Sequence, residues 1–336
     1  MSRYQNAGEA MTLAADSVGP TVCIGEILTE IVATTIGSGF GEPIPLMGPY
    51  PSGAPAIFID QCARFGGSAA MIGTVGNDDF GRMNIDRLRR DNVDVSGIGV
   101  DAELPTGTAF VRYRPDGDRD FVFNMWTSAA GRLTWTDAVD AIVSRAGHLH
   151  VMGTLLSNAT VWPIIECAAE IISDRGGSIS LDPNMRKELQ ADQATSARVA
   201  TMIAMSDLLL PSGDEMFVAA GMSPDEGEEA AIQHLFRLGV SEIAIKRGWH
   251  GSSCHEANGT LTRVPAFRVK ETDPTGAGDC FGGAYVAARR LGMSPRQCLT
   301  YANAAGARNV TFRGPMEGIG TRHELDKFIQ ETELSL

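Results

Sequence analysis

The richest chemistry in this chain lies in residues 273–281, DPTGAGDCF, followed at once by an amphipathic helix pattern. Gly276, Ala277 and Gly278 bare the backbone N–H groups of a helix start, where unsatisfied amides and the helix dipole together hold an anion. Asp279 falls in the first helical turn, beside whatever those amides hold. An anion cradle next to a fixed carboxylate suits phosphoryl transfer to a hydroxyl. The cradle steadies the moving phosphoryl group, and the carboxylate accepts the hydroxyl proton. A lone Gly-x-Gly is mostly punctuation between elements; here the acid, the small residues and the helix come together.

The elements that must position these residues alternate from Thr21 onward. Short apolar runs predict buried strands at 22–28, 69–72, 148–153, 178–182, 208–211 and 242–246. Between them, Thr136 predicts a helix through Val139, Ile142, Val143 and Ala146 that Gly147 ends. Ser223-Pro224 predicts one through Ile232, Leu235 and Leu238, and Ser294-Pro295 one through Leu299 and Ala302. This rhythm predicts an α/β fold, a doubly wound, mostly parallel sheet with helices on both faces. Residues 106–124 break it and predict a β-hairpin turning at 115–118, and the Gly- and Pro-rich stretch 30–51 can add strands to it. A strand pair outside a parallel sheet is decoration or a lid, and lids exclude water from a reacting phosphoryl group. The resulting organisation is a flexible tail over 1–20, one domain over 21–330 with a β-lid from segments near 30–51 and 104–126, and a tail over 331–336.

The 336 residues are 43% hydrophobic and carry a net charge of -13. A sizeable core is therefore affordable, and non-specific nucleic-acid binding is disfavoured for want of basic stripes. Six cysteines without metal-ligand spacing read as reduced core thiols of a cytoplasmic protein, with Cys280 a candidate reactive thiol because it adjoins the anion site. No stretch approaches the length of a membrane span, and the first residues lack the pattern of a signal peptide. Asp79-Phe80-Gly81 spells the metal motif of protein kinases but lacks their catalytic loop, so it reads as a helix-opening turn. Gly37, Gly39 and Gly41 follow a strand, but Pro43 and Pro45 deny the helix a dinucleotide fingerprint needs. His148 and His150 alternate on one strand end with no third metal ligand apparent, which favours a structural role.

The signature at 273–281, the βα order and the hairpin together resemble the ribokinase-like (PfkB) carbohydrate kinases, and residues 63–81, ARFGGSAAMIGTVGNDDFG, resemble that family's N-terminal signature. The resemblance spans about 21–329. It implies transfer of the ATP γ-phosphoryl group to a sugar hydroxyl, with Mg²⁺, often a monovalent cation such as K⁺, and often a homodimer formed through the lid. It implies Asp279 as catalytic base and Gly276, Ala277 and Gly278 as the anion hole. Lys246, Gly248 and Gly251 would meet the nucleotide, with Ala302, Asn303, Gly306 and Ala307 as the adenine-side wall. Glu215 matches the acid of the family's Asn-x-x-Glu motif, which organises Mg²⁺ and water, and Ser212 stands where that motif has Asn. Residues 182–184 with Arg186 resemble a strand end seen in fructokinase and 2-keto-3-deoxygluconate kinase branches.

On the sugar side, Glu30 stands where the family usually has Asp. Gly53 and Ala54 belong to a loop in which Ser52 and Ile57 replace a Gly and an Asn, so one sugar hydroxyl needs another partner. A keto-acid substrate wants an Arg fork. The second lid strand, FVFNMW, has none; Arg112 and Arg114 share one face of the first. Read as solvated lid charge, they leave a neutral ketohexose, D-tagatose or D-fructose, as the expected substrate, with Asn124 bonding a hydroxyl and Trp126 packing on the ring. The alternatives are 2-keto-3-deoxygluconate, a nucleoside, or a binding protein that kept the fold without the activity. The apolar side chains of Phe110, Val111, Phe121 and Phe123 offer the patch for lid dimerisation.

Overall fold

The computed structural model describes residues 13–36, 39–114, 119–184 and 193–335. In chain order the strands are β1 (Thr21–Ile24), β2 (Leu28–Ala33), β3 (Leu46–Ser52), β4 (Ala69–Gly76), β5 (Asp94–Asp101), β6 (Gly107–Tyr113) and β7 (Arg119–Asn124). There follow β8 (His148–Met152), β9 (Ser178–Asp182), β10 (Leu208–Leu209), β11 (Glu242–Lys246), β12 (Ser252–Glu256) and β13 (Leu261–Val264). Nine of them form one sheet in the order β13-β12-β11-β10-β9-β8-β1-β4-β5, parallel from β11 to β5 and antiparallel only at β12 and β13. The other four form a small sheet, β3-β2-β6-β7.

The apolar run at 22–28 is two strands rather than one. β1 ends at Ile24 in the large sheet, the chain turns through Gly25 to Ile27, and β2 enters the small sheet. Both parts are buried on both faces, so hydrophobicity alone carries no sign of the change of sheet. Because β1 pairs in parallel with both β8 and β4, the winding order reverses there, and the crevice at the strand carboxyl ends is where such sheets bind ligands.

Helix starts follow their predicted caps more closely than helix ends. Thr136 accepts from Val139 N, but the helix stops at Val143, short of Gly147. Ser223-Pro224 opens only a 3₁₀ turn, Pro224–Glu226; Gly227, at φ 89°, separates it from helix Glu228–Arg237. Ser294 and Gln297 form a full capping box on helix Pro295–Asn309. Asp78 caps Asp79–Arg90 by accepting from Gly81 N, so the Asp-Phe-Gly run is a helix start.

Both presumed tails are partly docked. Leu13 is buried, and Arg290 holds the carbonyls of Ala14, Ala15 and Gly19. At the other end, Arg268 N donates to Glu333 O and Ser335 N to Ala266 O, so the C-terminus adds a strand-like edge. His148 and His150 are fully buried, bonded to Ser178 and Ser180, with Phe58 stacked 3.6 Å from His150. Burial holds both imidazoles neutral, which makes them core polar groups.

Candidate active site

The signature folds as a loop locked from both sides, followed by helix Ala277–Arg290. Asp273 accepts Thr275 N at 3.0 Å with one oxygen and Gly314 N at 3.0 Å with the other. Asn309 donates to Thr275 O at 2.9 Å. Gly276 is the helix N-cap at φ 80°, a left-handed conformation, and a Cβ there would lie 2.5 Å from Pro315 O. The amides of Ala277 and Gly278 are thus presented at a dipole-favoured helix end. At Gly283 a Cβ would meet Phe58 O at 2.3 Å, so helix Ala54–Phe65 packs backbone to backbone on the signature helix and fixes its axis.

Asp279, nearly buried, borders two cavities. One lies under the small sheet and is lined by Glu26, Glu30, Ser52, Gly53, Ala54, Ile57, Thr154 and the lid residues Ala109, Phe121, Phe123 and Met125. In it Ser52 donates to Glu30 at 3.2 Å and Thr154 to Glu26 at 3.4 Å. The other is an open cleft of about 680 Å³ that holds Gly276, Ala277, Gly278, Ser212, Glu215, Lys246, Gly248, Gly251, Asn303, Gly306 and Ala307. Its size suits a nucleotide. The sequence-predicted nucleotide set therefore meets in one place.

Within the cleft, Ser212 N donates to Glu215 at 2.8 Å and its hydroxyl bonds the same carboxylate oxygen, so Ser does locally what an Asn would do with its amide. Asn303 spends its amide on the carbonyls of Val264 and Pro265, at 3.3 and 3.0 Å, and thereby shapes the wall through the chain that follows β13. A Cβ on Gly306 would lie 3.1 Å from Ala277 O, which sets how closely the two helices approach. Burial and the Asp279 charge raise the Cys280 thiol pKa well above its ordinary value, so Cys280 is an inert core thiol.

Two sugar-side expectations change, those for Asn124 and for the Phe121–Phe123 patch, while Arg112 stays out of the sugar pocket as expected. Asn124 and Arg112 lie on the lid face turned from the cavity: β6 and β7 pair Ala109 with Phe123 but Arg112 with Asp120 and Thr108 with Asn124. Asn124 donates to Thr108, and Arg112 and Arg114 both pair with Asp120. Phe121 and Phe123, offered above as a dimer patch, face the cavity, whereas Val122 between them is exposed. Arg186 lies outside the described residues. Glu26 and Thr154 were not foreseen; their signal was position, just beyond the carboxyl ends of β1 and β8 at the switch point. Nor was Arg119, which donates from β7 to Thr275 at 2.8 Å and ties the lid to the signature loop.

Among the described residues no helix is long and apolar enough to cross a membrane, and no group of three or more His, Cys, Asp or Glu is placed to hold a metal.

Known proteins carry the same architecture. Fructokinase-1 of Oryza sativa subsp. japonica is 31% identical over 92% of this chain and 97% of its own length. A "putative Ribokinase II" from E. coli, solved in complex with ATP and Mg²⁺, is 43% identical, with a TM-score of 0.86 over 93% of this chain and 99% of that one. Fructokinase from Vibrio cholerae O395, bound to fructose, ADP and calcium, is 25% identical, with a TM-score of 0.80 over 93% and 99%. The model of the pfkB family of carbohydrate kinases matches residues 21–322. A locked anion cradle, a carboxylate shared by two cavities and a match along nearly the whole chain lead to one conclusion: this chain belongs to the pfkB family and is a ribokinase-like sugar kinase.

Proposed function

We propose that the chain transfers the γ-phosphoryl group of ATP to the terminal hydroxyl of a neutral ketohexose, with D-fructose first and D-tagatose second. The observation that carries this is Asp279, the residue that borders both the lid cavity and the nucleotide-sized cleft. A hydroxyl in the first and a phosphoryl group on the Gly276–Gly278 amides in the second would meet at this carboxylate. Asp279 accepts the hydroxyl proton, and the amides take the charge that spreads over the phosphoryl oxygens.

The sugar pocket favours hydroxyls over a carboxylate. Its polar lining includes Glu26 and Glu30, which accept from hydroxyl donors and repel an anion, and among the described residues no Lys or Arg lines it. Arg112 and Arg114, the candidates to grip a keto acid, are turned away and share Asp120. The fructokinase relatives support fructose as the first choice.

Glu215 with Ser212 fits an organiser of Mg²⁺. A carboxylate at the phosphate end, with no group of three or more His, Cys, Asp or Glu placed to hold a metal among the described residues, is the arrangement Mg²⁺ takes when it keeps waters and binds substrate phosphates. When bound, the ion neutralises phosphate charge.

The test is a coupled ADP-release assay with Mg-ATP and D-fructose, D-tagatose, 2-keto-3-deoxygluconate, D-ribose and adenosine. Turnover with a ketohexose is expected. Turnover confined to the keto acid would mean that the lid rearranges to bring an Arg inward, and would sink the neutral-sugar reading.

A further inference from the structure

Lys246 is the last residue of β11, and its backbone is committed on both sides. Its N–H donates to Pro211 O at 2.9 Å and its carbonyl accepts from Gly213 at 3.2 Å. Only the side chain is left to act. It lies along the floor of the cleft, largely buried, and its Nζ donates to Asp182 at 2.5 Å. A methyl group placed on Gly278 would lie 3.7 Å from that Nζ, so the ammonium sits against the anion cradle. Asp182 closes β9, two strands away, and its side chain is buried. Two carboxyl ends of the sheet, on either side of β10, thus aim a carboxylate and an ammonium at the place where the phosphoryl group would be held.

We propose that Lys246 is a further catalytic residue, a cation parked on Asp182 that takes up the charge of the transferred phosphoryl group as the transition state forms. This rests on the reading of the cleft as the ATP site. A buried ion pair kept only for packing gains little over apolar residues of the same volume. One beside an anion hole supplies charge where charge develops, in a site poor in water. The groups facing Lys246 are Asp182, Glu215 and Asp279. Burial alone would lower the Lys246 pKa, but these three carboxylates more than offset it and hold the ammonium charged. The Asp182 pKa is raised as well, to about 7, chiefly by its burial, with Lys246 opposing.

The experiment compares Lys246→Met, Asp182→Asn and the double variant by thermal melting and by kcat and KM for ATP and sugar. Lys246→Met should lose about 10²–10³-fold in kcat, the size of losing one oxyanion-hole donor, with sugar KM nearly unchanged. That single variant also strands the Asp182 carboxylate, so the double variant separates the two roles. With no buried charge left unpaired it should melt near the wild type, yet remain about 10²-fold or more below Asp182→Asn in kcat. Recovery of the double variant to the Asp182→Asn rate would overturn the inference, since Lys246 would then serve only to neutralise Asp182. A wild-type protein that releases no ADP with any sugar would overturn the ATP-site reading itself, a result distinct from an active wild type with an equally active double variant.

Discussion

At the scale of single residues, the proposed mechanism turns on Asp279. It sits in the first turn of the signature helix, nearly buried, with the Lys246 ammonium and the Glu215 carboxylate within electrostatic range of one another around it. A positioned general base contributes about 10²–10⁴-fold, or roughly 3–5 kcal/mol of the barrier. Asp279→Asn keeps the volume and removes the base. It is expected to lose at least that much kcat while ATP KM stays close to wild type, measured by ADP release under saturating sugar. Near-normal turnover would remove Asp279 from the mechanism. Asp279 was legible because its role is local: cradle and base are three consecutive residues and the one that follows. Asn124 was misread because a strand residue's role depends on which face is inward, and that parity is set by pairing with β6.

At the scale of elements, the helices are held by caps and by a charge cluster behind the site. Helix Arg322–Glu331 carries a capping box between Thr321 and Glu324. Glu324 also receives Arg64 at 2.9 Å and Arg308 at 3.3 Å, from helices Ala54–Phe65 and Pro295–Asn309. One carboxylate therefore joins three helices. Although partial burial opposes it, the bonds from Thr321 and the two guanidinium groups pull the Glu324 pKa down to about 2. A carboxylate with a depressed folded-state pKa stabilises the fold above its unfolded pKa and loses that contribution as pH falls toward the folded value. Glu324→Gln preserves the capping box and removes the charge. The variant should melt below wild type at pH 7, and the gap should close as pH falls from about 4.5 toward 2. Melting curves across that range check it; a gap that does not depend on pH would assign the effect to shape rather than charge. The capping serines and threonines were visible in the sequence, but the partners of Glu324 come from residues 64 and 308 and were not.

At the scale of the whole molecule, the small sheet acts as a cover whose edge is pinned to the catalytic loop. β7 supplies Phe121 and Phe123 to the sugar cavity and Arg119 to Thr275. The cavity under the lid measures about 30 Å³, the space of about one water. On the proposed reading, a hexose needs more room than this, which lifting β6 and β7 away from Asp279 would supply. Arg119→Ala removes the pin. It should raise sugar KM by about threefold to tenfold, the net worth of one ordinary hydrogen bond. It should also raise ADP release in the absence of sugar, because a loosened cover admits water to the phosphoryl group. Comparing ADP release with and without sugar tests both effects; unchanged KM and unchanged background hydrolysis would show that the contact has no part in closure.

Sequence alone determined the alternation of strand and helix, the caps and the place of residues 273–281 at a helix start, because each depends on neighbours within a turn or two along the chain. Tertiary structure decided what depends on distant pairing. It split one apolar run between two sheets, turned Phe121 and Phe123 inward and Asn124 outward, and brought Asp182 within a hydrogen bond of Lys246 across 64 residues. Local propensities say which segments pair and coil. The register and winding of the sheet say which side chains then share a cavity, and that is set only when the whole core is packed.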